Sequence, residues 1–330
     1  MPKEIWEEHE SVFHYTNKAG LEGVLKSQAL HATHYKYLND TSEMVQLKPR
    51  LEELIRPSIE KTILELLKNG VRAEQIVNKL GGLKPAAQSE AKTVADVLYR
   101  ISFGGNGRGR YFQPYVASFC SHRGDYEAKN GLLSQWRVYA AGDGFAIVFD
   151  TKALLEFLRR DADEFAYNTF QFGDVINDGD AEGFAREFSE LIEHIQRVYP
   201  EIFYRQEPDL RPLFGQFVSA ASRFKHRGFS EECEVRVVLS PISEQWFDEL
   251  KSTGDESFFK IASKKIKSTQ FKAGMTPFIV VGEAENFRLP IRSIIIGPGL
   301  YGPLKKEALE RFIEIKRLDI EVRLSETPLS

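Results

Sequence analysis

The chain has 330 residues, of which 42% are hydrophobic and 28% charged, a balance typical of a globular protein with one large domain or two ordinary ones. Its formal net charge of −4 excludes a global positive field, so indiscriminate binding to polyanions is not expected. The only two cysteines, Cys120 and Cys233, exclude a disulfide framework and a cysteine-only zinc site.

The N-terminal residues MPKEIWEEHE do not contain the apolar segment of a signal peptide. No stretch of the sequence approaches the roughly 18 apolar residues that a membrane span needs. The small number of cysteines is typical of a reducing compartment. We therefore expect a cytoplasmic protein that does not associate with a membrane.

The first third of the chain predicts a strand, a helix and an extended segment, followed by a long helical region. Residues 11–16 have β-type character, and the residues that follow them have apolar positions at helical spacing. Residues 29–43 begin extended and end in a polar turn. Residues 44–100 are mostly helical, and Pro57 is expected to kink or restart the first of these helices.

The remainder of the chain mixes further strands and helices. Strands are predicted at 115–121, 145–150, 231–239, 277–282, 292–299 and 319–324. Helices are predicted at 132–140, 151–160, 181–198, 208–224 and 303–316.

The order of these elements predicts an α+β fold with a central mixed or antiparallel sheet. Strands and helices do not alternate strictly, which disfavours a doubly wound parallel sheet. We expect one domain over 1–330, with a helical insertion at 44–100 and a second helical elaboration at 170–226. The glycine-rich run GGNGRGR at 104–110 precedes a strand, so it does not fit a dinucleotide or P-loop fingerprint.

A histidine lies inside the first predicted strand. Side chains alternate across a strand, so Val12 and His14 share one face while Phe13 and Tyr15 share the other. If the His14 face lines a cleft, a neutral imidazole can donate or accept one hydrogen bond with a ligand hydroxyl. The alternative is a core histidine that bonds to a backbone group.

A second candidate region contains small hydroxyl side chains and two rings. Ser118 lies in a predicted strand and Ser121 at its end, where a ligand can approach the backbone closely. Trp136 and Tyr139 are three residues apart on one short helix, so they point to similar sides. They form either a stacking wall for a planar ring or a core contact. Arg137 points elsewhere and suits a carboxylate or phosphate partner.

The run FKHRGFSEECEVRVVL contains the densest set of charged residues. Glu232, Glu234 and Arg236 occupy alternate positions of a predicted strand and so share one face. Two carboxylates about 7 Å apart beside an arginine suit a site that binds hydroxyls and stabilises developing positive charge. The alternative is an exposed strand face with a Glu–Arg salt bridge. The preceding cations, Lys225–Arg227, form either a solvated turn or a phosphate site.

Other chemistries find little support. His31 and His34 are three residues apart and are followed by Asp40 and Glu43, but they lie in a predicted extended segment without a Glu-x-x-His pairing, so no metal site is predicted. There is no G-x-S-x-G elbow for a serine hydrolase. Cys120 near His122 is a nucleophile candidate only by its position in the sequence.

Four segments together resemble a bacterial domain-of-unknown-function family, number 2971. The resemblance spans about residues 11–300 and is carried by the elements H-Y-T, Y-L-N-D-x-x-E, W-x-x-Y-A and E-x-E-x-R, followed by SIIIGPG. These elements are specific in combination and weak singly. Membership of this family implies no established activity.

A more distant resemblance is to the ADP-ribosyltransferases. That family places a His or Arg on a first strand, a Ser or Tyr on a second element and a Glu on a third. The matching residues in this chain are His14 with Thr16, then Ser118 and Ser121 with Tyr139, then Glu232 and Glu234. Tyr15 stands where that family usually has glycine, and SQAL replaces its usual turn.

The resemblance implies that NAD+ lies across a cleft as the cofactor. His14 and Thr16 would then anchor a ribose hydroxyl or the nicotinamide amide, and Tyr139 or Tyr15 would stack on the nicotinamide. The remaining residues that we assign to cofactor binding are Ser118, Ser121, Trp136 and Arg236.

The resemblance also implies the catalytic groups. Glu234 would bond the 2″-hydroxyl of the nicotinamide ribose and stabilise an oxocarbenium-like state, while Glu232 would steer or deprotonate the acceptor. The predicted function is an ADP-ribosyltransferase-like enzyme, a transferase or NAD glycohydrolase, acting as a bacterial toxin or phage-defence effector. The acceptor is a protein, a nucleic acid or water.

Two alternatives belong to other classes of protein. One is a non-catalytic nucleotide-binding sensor on the same scaffold. The other is a nucleic-acid-processing enzyme that uses the basic segments Lys225–Arg227 and Arg108–Arg110. The sequence does not predict the oligomeric state.

Overall fold

The structure is a computed structural model that describes residues 3–38, 43–68, 70–103, 113–139, 144–177, 179–204, 206, 211–252, 262–271, 274–283 and 287–328. Its strands are β1 (Ser11–Thr16), β2 (Leu30–His34), β3 (Tyr115–Cys120), β4 (Phe145–Asp150), β5 (Tyr167–Asp174), β6 (Ile176–Asn177), β7 (Phe224–Lys225), β8 (Glu234–Pro241), β9 (Lys267–Phe271), β10 (Gly274–Val281), β11 (Ile291–Ile296) and β12 (Glu321–Leu324).

Its α-helices are α1 (Ile5–Glu8), α2 (Lys18–Ser27), α3 (Glu43–Leu67), α4 (Val71–Lys79), α5 (Leu83–Phe103), α6 (Asp125–Asn130), α7 (Leu133–Tyr139), α8 (Thr151–Glu164), α9 (Ala181–Glu187), α10 (Ser189–Phe203), α11 (Arg211–Ala221), α12 (Glu244–Ser252) and α13 (Gly302–Ile315). Two short 3-10 turns, Tyr35–Tyr37 and Arg227–Glu232, complete the secondary structure of the described ranges. None of the helices in these ranges combines the length and the apolar character that crossing a bilayer requires.

Ten strands form one mixed sheet, which confirms the predicted α+β fold. The strand order is β12-β11-β4-β1-β3-β2-β10-β9, and β8 and β5 continue from β3. Its pairings are antiparallel except for the parallel pair β11 and β12. Strands β6 and β7 form a separate two-stranded parallel sheet.

The sheet forks at β3. On one edge, β1 pairs with β3 only through Phe13 and Cys120, near the end of β3. On the same edge, β2 pairs with the beginning of β3, at Tyr115 and Val116. Residues 117–119 lie between these two contacts and have no ladder partner on β1 or β2 among the described residues. The open edge lets side chains and solvent reach the backbone of a central strand.

The helical insertion has its own core. On α3, Leu47, Leu51, Ile55, Ile59 and Ile63 recur at every fourth position and are all buried, which gives one apolar stripe along the helix. The helix runs without restarting through Pro49 and Pro57, so the predicted restart at Pro57 is wrong. Burial of the stripe on both sides of the exposed Pro57 outweighs the hydrogen bond that proline cannot make.

The two helical regions that are separate in sequence form one layer. Helix α3 packs against α5 and α10, and α11 packs against α5 and against β5 of the sheet. The second elaboration begins later than the predicted residue 170, because 167–174 form β5, which pairs with β8 along its length. The sequence pattern did not predict this strand.

Candidate functional site

A cleft of about 430 Å³ opens where the sheet forks. Its walls come from β1, β2, β3 and β8, from α7 and from the turn Arg227–Glu232. The predicted site residues that line it are His14, Tyr15, Ser118, Glu232, Glu234 and Arg236. The volume lies within the range of about 300–1,000 Å³ that is typical of small-molecule sites.

His14 occupies the open edge of β3. Its Nδ1 lies 3.0 Å from the carbonyl oxygen of Ser118, which accepts the hydrogen bond. Burial lowers the pKa of His14 and outweighs this bond, so the ring is neutral and Nε2 is left as an acceptor. Both interpretations of His14 therefore hold: it bonds to a backbone group, and it lines the cleft.

Glu234 is the centre of a buried ion-pair network. Its Oε1 accepts a hydrogen bond from Nε of Arg236 at 2.8 Å, and its Oε2 accepts bonds from Nζ of Lys225 at 2.6 Å and from the Arg236 guanidinium at 3.1 Å. Burial alone would raise the pKa of Glu234, but Arg236 and Lys225 outweigh it and lower the pKa to about 2. Glu234 is therefore ionised at neutral pH.

Glu232 does not lie on the strand, contrary to the prediction. It ends the turn Arg227–Glu232, and Cys233 follows with a φ of 43°, so β8 begins only at Glu234. The left-handed residue breaks the alternation that the sequence pattern suggested. Lys225 nevertheless brings the two carboxylates together, because its Nζ also donates to Oε2 of Glu232 at 2.8 Å.

Ser121 holds the turn and is not among the residues that line the cleft. Its backbone N–H and its hydroxyl both donate to the carbonyl oxygen of Cys233, at 2.8 Å and 3.2 Å. Its assignment to cofactor binding is therefore not supported by its position. It fixes the turn that precedes Glu234.

Lys225 does not form a solvated cationic turn. It is 7% exposed, bonds both carboxylates and lies with Nζ 5.0 Å above the ring of Phe229. A phosphate backbone would have to displace two carboxylates to reach it, which weakens the nucleic-acid alternative. The second basic segment of that hypothesis, Arg108–Arg110, lies outside the described residues.

Trp136 belongs to the core, so the stacking-wall interpretation is wrong for this ring. It is 3% exposed, its Nε1 donates to the carbonyl oxygen of Asn130 at 2.9 Å, and it meets Tyr15 edge-on with ring centroids 4.8 Å apart. The Tyr139 side chain lies outside the described residues.

Tyr15 borders the cleft, but its side chain is committed to the interior. Its hydroxyl accepts a bond from the N–H of Leu132 at 2.7 Å and lies 3.0 Å from Nε2 of His122, to which it donates. Burial raises the pKa of Tyr15 and lowers that of His122 to about 4. A stacking role for Tyr15 on nicotinamide is therefore disfavoured. Thr16 is paired with Phe145 of β4 and is not among the cleft residues.

Trp136 packs closely against Gly131, and this contact predicts that a larger residue at position 131 destabilises the fold. A Cβ on Gly131, whose φ is +76°, would lie 2.5 Å from the Trp136 ring. We expect Gly131→Ala to lower the free energy of unfolding by about 2–4 kcal/mol, because it adds a steric overlap to a left-handed backbone. Urea unfolding measures this loss.

The matched control is Gly23→Ala on α2, where a Cβ meets no atom within 4 Å. Alanine is the better helix former, so this control should be neutral or slightly stabilising. Equal stability of the two variants would show that Trp136 is not held by the glycine contact.

Comparison with known proteins finds a family-model match over the part of the chain that begins within α7 and ends within β8. Residues 135–237 match the model of a family described as Protein of unknown function (DUF2971). The resemblance to that family is thus confirmed over this segment, which includes Glu232, Glu234 and Arg236. No curated protein and no solved structure matches the chain.

One polar residue of the cleft was not predicted from the sequence. Gln135 lies on α7, is 2% exposed and lines the cleft together with His14 and Ser118. A glutamine beside a buried tryptophan on a short helix gives little signal in a single sequence. Only the forked sheet shows that this side of α7 faces a cavity.

Proposed function

We propose that the chain is an ADP-ribosyltransferase-like enzyme that uses NAD+ in the forked cleft. The observation that supports the proposal is the meeting of His14, Ser118, Glu232 and Glu234 around one cavity. The resemblance to the ADP-ribosyltransferases implied that these residues meet, and they come from distant parts of the chain.

Glu234 suits the carboxylate that holds the ribose. A carboxylate has about four lone-pair positions, and the contacts with Lys225 and Arg236 use three of those on Glu234. The fourth accepts a hydrogen bond from the 2″-hydroxyl. The ionised group stabilises the oxocarbenium-like carbon that forms when nicotinamide leaves.

Glu232 suits the group that receives the acceptor's proton. Its side chain is 23% exposed, and one of its oxygens bonds Lys225. In the proposed step, the C1″–N bond breaks and its electron pair passes to the pyridinium nitrogen, which releases neutral nicotinamide. The acceptor oxygen bonds C1″, and its proton passes to Glu232.

Release of nicotinamide from NAD+ tests the proposal. We expect Glu232→Gln to lower the rate by about 10²–10³-fold while NAD+ binding, measured by calorimetry, is retained, because the amide cannot take the proton. Glu74→Gln is the matched control, since Glu74 is exposed on α4 outside the cleft.

Two outcomes would contradict the proposal. One is a wild-type protein that neither binds NAD+ nor releases nicotinamide from it. The other is a Glu232→Gln variant that is as active as the Glu74→Gln control. If nicotinamide is released, incubation with labelled NAD+ in a cell lysate identifies the acceptor. A labelled macromolecule would indicate an effector that modifies a target, whereas transfer to water alone would indicate an NAD glycohydrolase.

A non-catalytic nucleotide sensor is the second candidate, and one observation favours it. The formal charges of Glu232, Glu234, Lys225 and Arg236 cancel, and each cation contacts at least one of the carboxylates. A cluster that is neutral overall stabilises a cationic transition state less than a free carboxylate does. Tight NAD+ binding without nicotinamide release would support the sensor.

A further inference from the structure

We infer that Gln135 recognises the carboxamide of the nicotinamide ring, so that the cleft distinguishes NAD+ from its nicotinic acid analogue. This inference rests on the proposed function and assigns the group that selects the leaving base. The residue was not among the predicted site residues, and it lies at the beginning of the segment that matches the family model.

The position of Gln135 is unusual for an amide side chain. It is 2% exposed yet lines the cleft, and no hydrogen-bond partner of its side chain is found within the described ranges. The side-chain nitrogen and oxygen of Gln135 are not among the fully buried polar atoms that lack a partner, so this amide is reached from the cleft. A ligand in the cleft that offers both a donor and an acceptor would bond both groups of the amide.

The helix that carries Gln135 is held rigidly. The next residue, Trp136, is bonded to Asn130 and wedged against Gly131 and Gly297, where an added Cβ would come within 2.8 Å of its ring. These contacts fix the backbone that carries Gln135, so binding of a ligand needs no movement of the helix.

The chemistry of an amide favours a carboxamide as its partner. The Gln135 side chain has two N–H donors and one carbonyl acceptor, and a primary carboxamide presents the complementary pair. An adenine edge offers a similar pair. The scissile bond, however, joins the nicotinamide directly to the ribose that the carboxylates hold, so the base that shares the cleft with Glu232 and Glu234 is the nicotinamide.

The experiment compares NAD+ with nicotinic acid adenine dinucleotide, in which a carboxylate replaces the carboxamide. For the wild-type protein we expect kcat/KM for nicotinamide release to exceed that for nicotinic acid release by about tenfold or more, the equivalent of one hydrogen bond of about 1.4 kcal/mol. Gln135→Leu should bring this ratio close to one. Gln135→Glu should raise it, because the new carboxylate repels the acidic ring.

The controls separate a specificity role from a folding defect. Gln75→Leu is the matched control, because Gln75 is exposed on α4, and it should keep the wild-type ratio. Gln135→Glu nearly keeps the shape of the side chain, so it decides the question if Gln135→Leu does not fold. The same comparison can be made without turnover in the Glu232→Gln background. Calorimetry then measures the affinities for NAD+ and for nicotinic acid adenine dinucleotide, with Gln135 intact and with each Gln135 substitution added.

The outcomes also separate this inference from the proposed function. If the wild-type protein neither binds nor cleaves NAD+, both are overturned. If it uses NAD+ and the Gln135 variants keep the wild-type ratio, only the assignment of Gln135 is overturned. Opposite shifts of the ratio in the two variants would support it.

Discussion

Replacing Asp161 with alanine should lower the free energy of unfolding by about 3–5 kcal/mol, because the substitution takes the nearer carboxylate from a buried cation and leaves it with Glu283 at 3.5 Å. Asp161 is 1% exposed and bonds Nζ of Lys264, whose side chain is fully buried, at 2.9 Å. Its oxygens also accept bonds from the N–H of Gly282 at 2.7 Å and from the hydroxyl of Tyr167 at 2.6 Å. In the variant, the N–H of Gly282 and the hydroxyl of Tyr167 lose this acceptor and Lys264 loses its nearer carboxylate. Chemical unfolding in urea measures the loss.

Two further variants test the physical cause. The double variant Asp161→Leu with Lys264→Met removes both charges and should regain part of the lost stability, since apolar pairs often replace buried ion pairs without penalty. Arg159 lies on the same helix as Asp161 and forms an exposed ion pair with Glu4. Arg159→Ala breaks this pair and should cost less than about 1 kcal/mol. If Asp161→Ala were as mild as Arg159→Ala, the buried network would not stabilise the fold.

The sequence predicts the strands that have a dense run of apolar residues. Strands β1 and β4 were predicted at their observed bounds, and β3 within one residue, because the apolar run of each is interrupted by at most one polar side chain. Strand β5, YNTFQFGD, was missed because its polar residues and its glycine give no alternation. It becomes a strand through its pairing with β8, which is a tertiary effect.

The site was predicted by residue type more successfully than by geometry. The alternation of charged and apolar residues predicts that the strand runs through Cys233, but the left-handed backbone at Cys233 separates Glu232 from β8. The role of Lys225 as the link between two carboxylates was likewise not visible. A run of charged residues in a sequence does not show which of the side chains are buried, and burial decides whether charges are solvated or paired.

The fork in the sheet could not be predicted from the sequence, for a different reason. It depends on β1 and β2 sharing one edge of β3, and the residues that pair are about 80 to 110 positions apart in the chain. Local sequence patterns determine where strands form but not which strands pair with one another. The positions of His14 and Gln135 in the wall of one cleft follow from this topology.

Glu234→Gln should lower the free energy of unfolding at neutral pH by about 3–5 kcal/mol, and the deficit should shrink as the pH falls. The substitution removes the charge that balances Arg236, which is 4% exposed, and leaves Lys225 with Glu232. The pKa of Glu234 in the folded protein is lowered to about 2 from 4.5, mainly by the two cations acting against burial. Between these values the unfolded chain binds more protons than the folded one.

The contribution of the Glu234 charge is therefore complete above about pH 4.5 and is lost as the pH falls toward 2, an effect of about 3 kcal/mol. The buried histidines, with pKa values lowered to about 4 for His34 and His122 by burial, also destabilise the fold below pH 6.5. They do so equally in wild type and variant, so they cancel in the difference.

Urea unfolding of the wild type and of Glu234→Gln at pH 7, 5 and 3.5 measures this difference directly. The exposed Glu307 on α13 offers a matched substitution, Glu307→Gln, whose small effect should not vary with pH. A constant difference between wild type and Glu234→Gln over the same range would mean that the pKa of Glu234 is the same in the folded and the unfolded chain, so that Lys225 and Arg236 do not stabilise its charge. A deficit that instead grows as the pH falls would mean that the pKa is raised and that Glu234 is a neutral hydrogen-bonded group at pH 7, which does not stabilise a cation in the cleft.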